Sequence, residues 1–312
     1  MSEVWYRSPI EKRYLKELTQ QNDVKAYFHV FLHLLLLCTT ATVCFISINN
    51  SWWYFLPLAF FIHGTVFSFL GWAGASHELF HNSVFSKRKT NRFFLLLFAL
   101  LCWNNKEIFS KSHARHHKFT LFPDKDQEVN PCAHHTKLTY LLSLTFNIQA
   151  FYVQFKYHCL NAIGDIRGEW VEILFPKDEP KKRQGLVKWS RSVLLFHSVL
   201  LLFFIFIGFP ELILIINLGS FFGNFFPLIF ASAQHKDKAI NCHDFRLNSR
   251  SIKINPLFEF LYWGMNYHIE HHMYPQVPFY NLKKLNQYIK NDLPPPVAGV
   301  KNVLAIAMHN NN

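Results

Sequence analysis

Three short histidine clusters hold the side chains in this sequence that are best suited to chemistry. They are His77-Glu-Leu-Phe-His81, His113-Ala-Arg-His116-His117 and His268-Ile-Glu-His271-His272. Positions i, i+3 and i+4 of an α-helix lie on one side of it, so each cluster directs two or three imidazoles the same way. Neutral imidazole is a good ligand for iron, copper and zinc. The spacing therefore predicts a metal site.

The number of imidazoles indicates two metal ions. Eight nitrogens exceed the roughly four to six ligands that one first-row ion takes, but they suit two ions with open positions for a small molecule such as oxygen. Zinc would fit the same nitrogens, although it has no redox chemistry. The spacing predicts a di-metal site and leaves the metal open.

A single pair of histidines four residues apart is a much weaker signal than three clusters. His29 and His33 have this spacing inside an apolar stretch, with no third cluster as a partner. We expect them to be interfacial polar anchors and not ligands. The three larger clusters each lie just outside an apolar stretch, an arrangement that packing alone does not explain.

Acidic residues near the clusters are candidates for orienting the imidazoles, because a ligating histidine usually donates its other N–H to a carboxylate or carbonyl. The alternative is that they balance nearby lysines and arginines on a solvated face, the commoner situation for any one acid. The candidates are Glu78, Asp124, Asp126, Glu128, Asp237, Asp244 and Glu270.

The composition indicates an integral membrane protein. Of 312 residues, 50% are hydrophobic and 17% are charged, against roughly 25% charged in an ordinary soluble domain. This balance excludes a disordered chain, a collagen-like chain and a disulfide-stapled module. Four stretches are long enough to cross a bilayer as helices. They are Ala26–Ile48, Trp52–Ala75, Arg191–Phe209 and Pro210–Ala233.

The distribution of charge predicts the topology. The turns at 47–51 and 208–211 hold no Lys or Arg, so all 32 basic residues lie on one side of the predicted membrane domain. The positive-inside rule makes that side cytoplasmic, with both termini there. The net charge of +12 is then a topology signal that also suits anionic lipid, and not a sign of nucleic-acid binding. A bacterial inner membrane and the endoplasmic reticulum both fit.

We expect a cytoplasmic leader at 1–25, a membrane domain at 26–290 and a C-terminal tail at 291–312. The apolar segment 93–103 is too short to cross a membrane and predicts an interfacial or re-entrant helix. Residues 176–184 predict a solvated loop. No CxxC spacing occurs, and we expect free thiols at Cys38, Cys44, Cys102, Cys132, Cys159 and Cys242. The N-terminus does not resemble a removable signal peptide.

In the order and spacing of its three clusters, HxxxH, HxxHH and HxxHH, the sequence resembles the membrane fatty acid desaturase superfamily. The resemblance runs from about Trp72 to Leu282, and the segment from Asn266 to Pro278 is similar to the third histidine box of that family. It implies an all-α integral membrane fold with four transmembrane helices and a cytoplasmic helical cap over two iron ions. It also implies that oxygen and two electrons are used to oxidise a lipid chain.

The same resemblance implies the ligands, with no catalytic residue separate from them. They are His77, His81, His113, His116, His117, His268, His271 and His272, with His235 in the place of a ninth ligand found in part of the family. Ala231 stands where similar acyl-CoA desaturases have Asn, which weakens that substrate assignment. No His-Pro-Gly-Gly motif occurs, so a fused cytochrome b5 is not expected. The electron donor would be a separate ferredoxin or cytochrome b5 with its reductase.

Three functions follow from these patterns. The favoured hypothesis is an oxygen-dependent di-iron desaturase of a fatty-acyl or lipid alkyl chain. A hydroxylase or ketolase of a lipid, sphingoid or carotenoid substrate would use the same ligands. A metal transporter is the third, but transporters place polar ligands near the bilayer midplane between repeated halves. Here the clusters lie beyond the apolar stretches, and the sequence shows no repeat.

Overall fold

The computed structural model describes residues 4–129 and 136–309, and this part of the chain is mostly helical. Five of the expected free cysteines are free thiols, and Cys132 lies outside the described residues. The α-helices are α1 Lys12–Leu18, α2 Asp23–Asn49, α3 Leu56–Ser68, α4 Ala75–Phe80, α5 Arg88–Leu101, α6 Lys106–Phe119, α7 Lys137–Leu144, α8 Ile148–Ala162, α9 Glu169–Leu174, α10 Pro180–Phe206, α11 Phe225–His235, α12 Phe245–Asn248, α13 Pro256–Leu261, α14 His268–Met273, α15 Phe279–Ile289 and α16 Val300–Ala307.

Two helices in the described residues, α2 and α10, are long and apolar enough to cross a membrane. Both expose large apolar side chains, among them Phe31 and Phe206, as expected for surfaces that face lipid. A third span would result if α5 and α6, which bend by 117° at their junction, were counted as one broken span. The chain is therefore a membrane protein. The expected count of four spans stays a prediction.

The second and fourth apolar stretches are not continuous helices. In the second stretch, α3 has 13 residues, or about 20 Å, less than the roughly 30 Å of a hydrocarbon core. In the fourth, a π-helical turn at Ile213–Asn217 and a 3-10 turn at Gly219–Phe221 precede α11. Both stretches are apolar, but neither forms the single regular helix that the sequence predicts.

Close contact between these two stretches explains the irregularity. A Cβ at Gly64 would overlap the backbone carbonyl of Phe222, so only glycine lets α3 approach the broken segment this closely. Thr65 Oγ1 donates a hydrogen bond to the Gly223 carbonyl at 2.7 Å. Backbone groups freed by a broken helix need such partners at membrane depth.

The segment 176–184 is only partly a loop, because α10 begins at Pro180. The fixed φ of proline and its missing N–H suit the first turn of a helix, so this proline starts the helix where the charged composition predicted solvated loop. By contrast, segment 93–103 is helical as expected: it lies mostly in α5, which ends at Leu101, just before the 117° bend between α5 and α6. The Asn105 side chain then caps α6 by accepting from the Ile108 N–H at 3.2 Å.

Apolar packing holds the helices that carry the histidine clusters. Leu79 of α4 and Ile269 and Met273 of α14 belong to one buried apolar cluster. Residues 251–298 add a short parallel pair, β1 Ile252–Lys253 and β2 Val297–Ala298. After it, Val303 of α16 packs into the cluster that contains Phe230 of α11. These contacts join α4 to α14 and α11 to α16.

Candidate metal centre

The structure brings all nine histidines named from the sequence together, in two groups. The groups are built from α4 and the residue after it, α6, the last residue of α11, and α14. Within each group, the possible ligand atoms lie within 4.8 Å of one another. The five-histidine group consists of His77, His81, His113, His117 and His271. The four-histidine group consists of His116, His235, His268 and His272.

Helix geometry explains why one cluster contributes to both groups. Viewed down the helix axis, residue i+3 lies about 60° to one side of residue i, and residue i+4 lies about 40° to the other side. The outer histidines of the second cluster, His113 and His117, lie in the five-histidine group, while His116 lies in the four-histidine group. The third cluster divides in the same way, with His271 apart from the outer pair. Each HxxHH cluster therefore contributes imidazoles to both histidine groups.

The Nε2 atoms converge within each group. In the five-histidine group, Nε2 of His113 lies 3.0 Å from that of His117 and 3.2 Å from that of His81. In the four-histidine group, Nε2 of His268 lies 2.8 Å from that of His235 and 3.0 Å from that of His272. One ion could therefore be reached by the members of each group.

Two carboxylates from the segment after α6 orient imidazoles of that helix. Glu128 Oε1 lies 2.7 Å from His113 Nδ1, and Asp126 Oδ2 lies 2.8 Å from His116 Nδ1. Asp126 also accepts from the Leu121 N–H at 3.0 Å, which holds the carboxylate in place. An Nδ1–H that donates to a carboxylate leaves the Nε2 lone pair free for a metal.

Oxygen atoms also lie beside Nδ1 of His271 and of His235. Glu78 Oε1 lies 3.0 Å from His271 Nδ1 and both side chains are fully buried, but this contact lacks the geometry of a hydrogen bond. His235 Nδ1 donates to the backbone carbonyl of Asn248 at 2.8 Å. No sequence signal marked Asn248, because any residue can supply a backbone carbonyl.

The remaining acidic candidates have other roles. Glu270 accepts hydrogen bonds from Ser251 and Asn286, on the other side of α14. Asp244 pairs with Arg246 at 2.7 Å, and Asp237 pairs with His309 at 2.9 Å. In the described residues, Asp124 makes no hydrogen bond to any of the nine imidazoles. The alternative of charge balance with a basic side chain describes Asp244, which pairs with Arg246. It does not describe Glu270, which is buried and bonded to uncharged side chains.

Burial lowers the pKa of most of these imidazoles, which keeps them neutral and able to coordinate. His116 is the exception among the nine: burial lowers its pKa too, but the hydrogen bond and charge of Asp126 outweigh this and raise the pKa above its usual value. Desolvation lowers the pKa of His235 and of His271 to about 3, and it lowers the pKa of His268 well below its usual value. Burial raises the pKa of Asp126, but the hydrogen bond and charge of His116 outweigh this, so the pKa lies below its usual value. Burial also raises the pKa of Glu128 to about 7.

The nitrogen atoms of the four-histidine group are better suited to bind a metal ion than to form a hydrogen-bonded network. His235 uses its N–H on a carbonyl, so its Nε2 presents a lone pair 2.8 Å from the Nε2 of His268. Nδ1 of His268 has no hydrogen-bond partner among the described residues. Nε2 of His268 lies close to the Nε2 atoms of both His235 and His272, and one proton on it could bond to only one of them. A cation can accept the lone pairs of all three nitrogens.

His29 and His33 take no part in either group, as expected. His33 is fully buried and not interfacial: its Nε2 donates to the Val66 carbonyl at 2.9 Å, and its Nδ1 accepts from the Trp263 indole at 3.0 Å. The His29 ring packs against aromatic rings, including that of Phe279 at 4.5 Å between centroids. Both histidines serve the packing of α2.

An apolar cavity of about 660 Å³ lies beside the five-histidine group. Trp72 and Phe109 line it and stack at 4.0 Å between ring centroids, with planes 8° apart. Phe109 in turn stacks on His113 at 4.7 Å and 11°. Three nearly parallel rings therefore connect the cavity wall to an imidazole of the centre.

Comparison with known proteins agrees with the geometry. A family model described as fatty acid desaturase matches residues 10–301, a range that includes both histidine groups. No curated protein matches the sequence significantly. Since the match covers nearly the whole chain, with the membrane helices and the clustered histidines inside it, the protein belongs to the fatty acid desaturase family.

Proposed function

We propose that the protein is a di-iron oxidoreductase that introduces a double bond into a fatty-acyl or lipid alkyl chain. The observation that carries this proposal is the pair of histidine groups, five and four imidazoles, with converging Nε2 atoms. Family membership supports a lipid oxidoreductase. The separation into two groups supports two ions.

Each group would hold one iron ion through its Nε2 atoms. Bound iron supplies the redox chemistry with oxygen that removal of hydrogen from an unactivated C–H bond requires. The protein fixes the ligands: Glu128, Asp126 and the Asn248 carbonyl hold imidazoles by their Nδ1 atoms, and Glu78 lies 3.0 Å from Nδ1 of His271. Such partners set ring orientation and raise ligand basicity.

The cavity beside the five-histidine group would take the lipid chain. Its volume of about 660 Å³ lies within the usual range for ligand pockets, roughly 300–1,000 Å³. Trp72 and Phe109 would present a flat apolar wall to methylene groups, holding one carbon near the centre and excluding water. These two rings would position the lipid chain and would take no part in the chemistry.

The charge distribution supports an assignment of the side of the membrane on which the reaction would take place. The histidine clusters lie on the basic side of the sequence, which would be cytoplasmic. A soluble or membrane-bound donor on that side, a ferredoxin or cytochrome b5 with its reductase, would supply the two electrons. The substrate would enter from the surrounding membrane lipid.

Lipid mass spectrometry of a host that makes the protein tests the reaction. The test compares the wild type with His271→Ala, which removes a ligand, and with His309→Ala, an exposed histidine outside both groups. We expect a lipid lacking two hydrogens with the wild type and with His309→Ala only. A product that gains one oxygen instead would identify a hydroxylase, and an equal product with His271→Ala would contradict the role of the centre.

A further inference from the structure

Helices α7 and α8 form a hairpin from a segment without charge. No Asp, Glu, Lys or Arg occurs from residue 138 to residue 155, between Lys137 and Lys156. The two helices have 8 and 15 residues, so they are about 12 and 22 Å long, less than the roughly 30 Å of a hydrocarbon core. Each is too short to cross a membrane. Such a segment either lies flat at the interface or enters the membrane and leaves on the same side.

The turn of the hairpin, residues 145–147, pairs with the fourth apolar stretch beside its 3-10 turn. The Gly223 N–H donates to the Thr145 carbonyl at 2.9 Å, and the Asn147 N–H donates to the Phe221 carbonyl at 2.8 Å. The carbonyl of the same Gly223 accepts from Thr65 of α3. The turn therefore lies where the second and fourth apolar stretches meet.

The outer ends of the hairpin lie on the side that the charge distribution predicts to be cytoplasmic. In α7, Tyr140 Oη donates to the Ala307 carbonyl of α16, in the C-terminal tail, at 2.6 Å. At the end of α8, the Ala162 carbonyl accepts from Arg191 Nε at 2.8 Å, and Arg191 begins the third apolar stretch. Helix α7 therefore runs from this side towards the apolar stretches, and α8 runs back.

The polar groups of the turn have partners within the protein. Asn147 is 5% exposed; its Oδ1 accepts from the Ala150 N–H at 3.0 Å, and its Nδ2 donates to Asn224 Oδ1 at 3.4 Å. Ser143 Oγ donates to the Tyr140 carbonyl at 2.6 Å. Polar groups inside a bilayer need partners of this kind, because the lipid chains offer none.

The outer face of the hairpin is apolar and exposed. Helix α8 packs against α10, whose exposed apolar side chains, such as that of Leu195, suit lipid. The outer face therefore continues the lipid-facing surface of α10, and exposed apolar surface of this extent marks a contact with lipid or protein. Six of its large side chains are between 42% and 61% exposed: Leu138, Leu141, Leu144, Ile148, Tyr152 and Phe155.

We propose that α7 and α8 form a re-entrant hairpin in the cytoplasmic leaflet, and that the acyl chains of this leaflet cover its outer face. Lys137 and Lys156 would mark the level of the headgroups, as lysines at the ends of apolar segments do. The hairpin leaves the expected topology unchanged, because both of its ends stay on one side. Helix α8 also lines the larger cavity with Val153 and Asn161, so one helix would contact both the cavity and the leaflet. This inference goes beyond the proposed oxidation and does not rest on it.

Photo-crosslinking to lipid tests the proposal. The photoreactive residue p-benzoylphenylalanine replaces Tyr152 or Leu141 in the full-length protein, which is irradiated in nanodiscs of phosphatidylcholine and analysed by mass spectrometry. Phe31, on the exposed face of α2, is the positive control. Tyr288 is the matched control, because it is an exposed tyrosine that stacks on Tyr14 of the charged helix α1. We expect lipid adducts at positions 152, 141 and 31, and loss of the adduct at position 288.

The point of attachment on the acyl chain separates a re-entrant hairpin from helices that lie flat. At 1.5 Å per residue, the seven residues from Leu138 to the turn correspond to a depth of up to about 10 Å. An adduct formed at Ile148, just after the turn, should therefore lie nearer the methyl end of the lipid chain than one formed at Leu138. Fragmentation of the adducts in the mass spectrometer locates the bond.

Crosslinks from positions 152 and 141 to a second copy of the chain, or the absence of lipid adducts there, would overturn the proposal. Equal attachment depths for Leu138 and Ile148 would overturn the re-entrant geometry. All four positions are exposed, so a large side chain fits, and Leu141 serves alone if the variant at Tyr152 does not fold. Lipid adducts in a protein that forms no oxidised lipid would contradict the proposed function and support the hairpin.

Discussion

His116 and His117 are neighbours in the chain, yet their imidazoles belong to different histidine groups, with ring planes 77° apart. Helix α6 therefore serves both groups at once. If each group holds one iron, His116→Ala should weaken one site and His117→Ala the other. We expect either variant to bind fewer than two irons per chain by elemental analysis. Two irons retained in both variants would contradict the assignment.

A carboxylate behind a ligand should tune metal affinity without touching the metal. Asp126→Asn keeps the shape but removes the charge that faces His116 Nδ1, so iron affinity should fall about 10- to 100-fold. Chelator competition measures this. Asp244→Asn is the matched control, because Asp244 pairs with Arg246 and not with an imidazole. Equal affinity in the two variants would show that Asp126 has no such role.

Acid should destabilise the metal-free protein. The pKa values of His235 and His271 are lowered to about 3, against about 6.5 in an unfolded chain. Between these values, the unfolded state binds protons that the folded state does not, so stability falls as the pH falls below about 6.5. Each histidine contributes up to about 1.4 kcal/mol per pH unit. Thermal unfolding of chelator-treated protein should therefore occur at lower temperature at pH 5.5 than at pH 7.5.

The His235→Ala variant tests the source of this effect. It lacks one of the titrating imidazoles, so the midpoint difference between the two pH values should be smaller than in the wild type. An unfolding midpoint that is unchanged by pH in the wild type would count against burial of neutral imidazoles.

Two helical glycines should respond in opposite ways to the same substitution. Gly64→Ala places a methyl group against the Phe222 carbonyl, and such overpacking typically costs about 1–3 kcal/mol. At Gly185 in α10, the nearest atom to an added Cβ is Glu107 Oε2 at 3.6 Å, an ordinary contact. Gly185→Ala should therefore stabilise, by about 0.5–1 kcal/mol. Thermal midpoints in detergent measure both; a stabilised Gly64→Ala protein would refute the close contact.

Most of the histidines of the centre could be predicted because each cluster is a short, continuous segment of the sequence. The i, i+3 and i+4 spacing of each cluster is a property of one helix, and all nine histidines named from the sequence lie together. The division of each HxxHH cluster between two groups also follows from helix geometry, although the sequence analysis predicts only that the imidazoles of one cluster point the same way.

Other features depend on contacts between distant parts of the chain. Asp126 and Glu128 meet imidazoles, but Asp124 beside them does not, and only the path of the segment after α6 decides this. The breaks in the second and fourth apolar stretches arise where Gly64 meets Phe222, more than 150 residues away. Apolar composition alone cannot distinguish a regular span from one interrupted by such a contact.

The division of the histidines sets a limit on the order of assembly. Each group needs residues from α6 and from α14, and α14 follows both long apolar helices in the chain. During synthesis, which proceeds from the N-terminus, neither histidine group can be completed until α2 and α10 have left the ribosome. If the two groups bind iron, the ions would therefore bind late and would link α6 to α14, a helix that is synthesised after both long apolar helices.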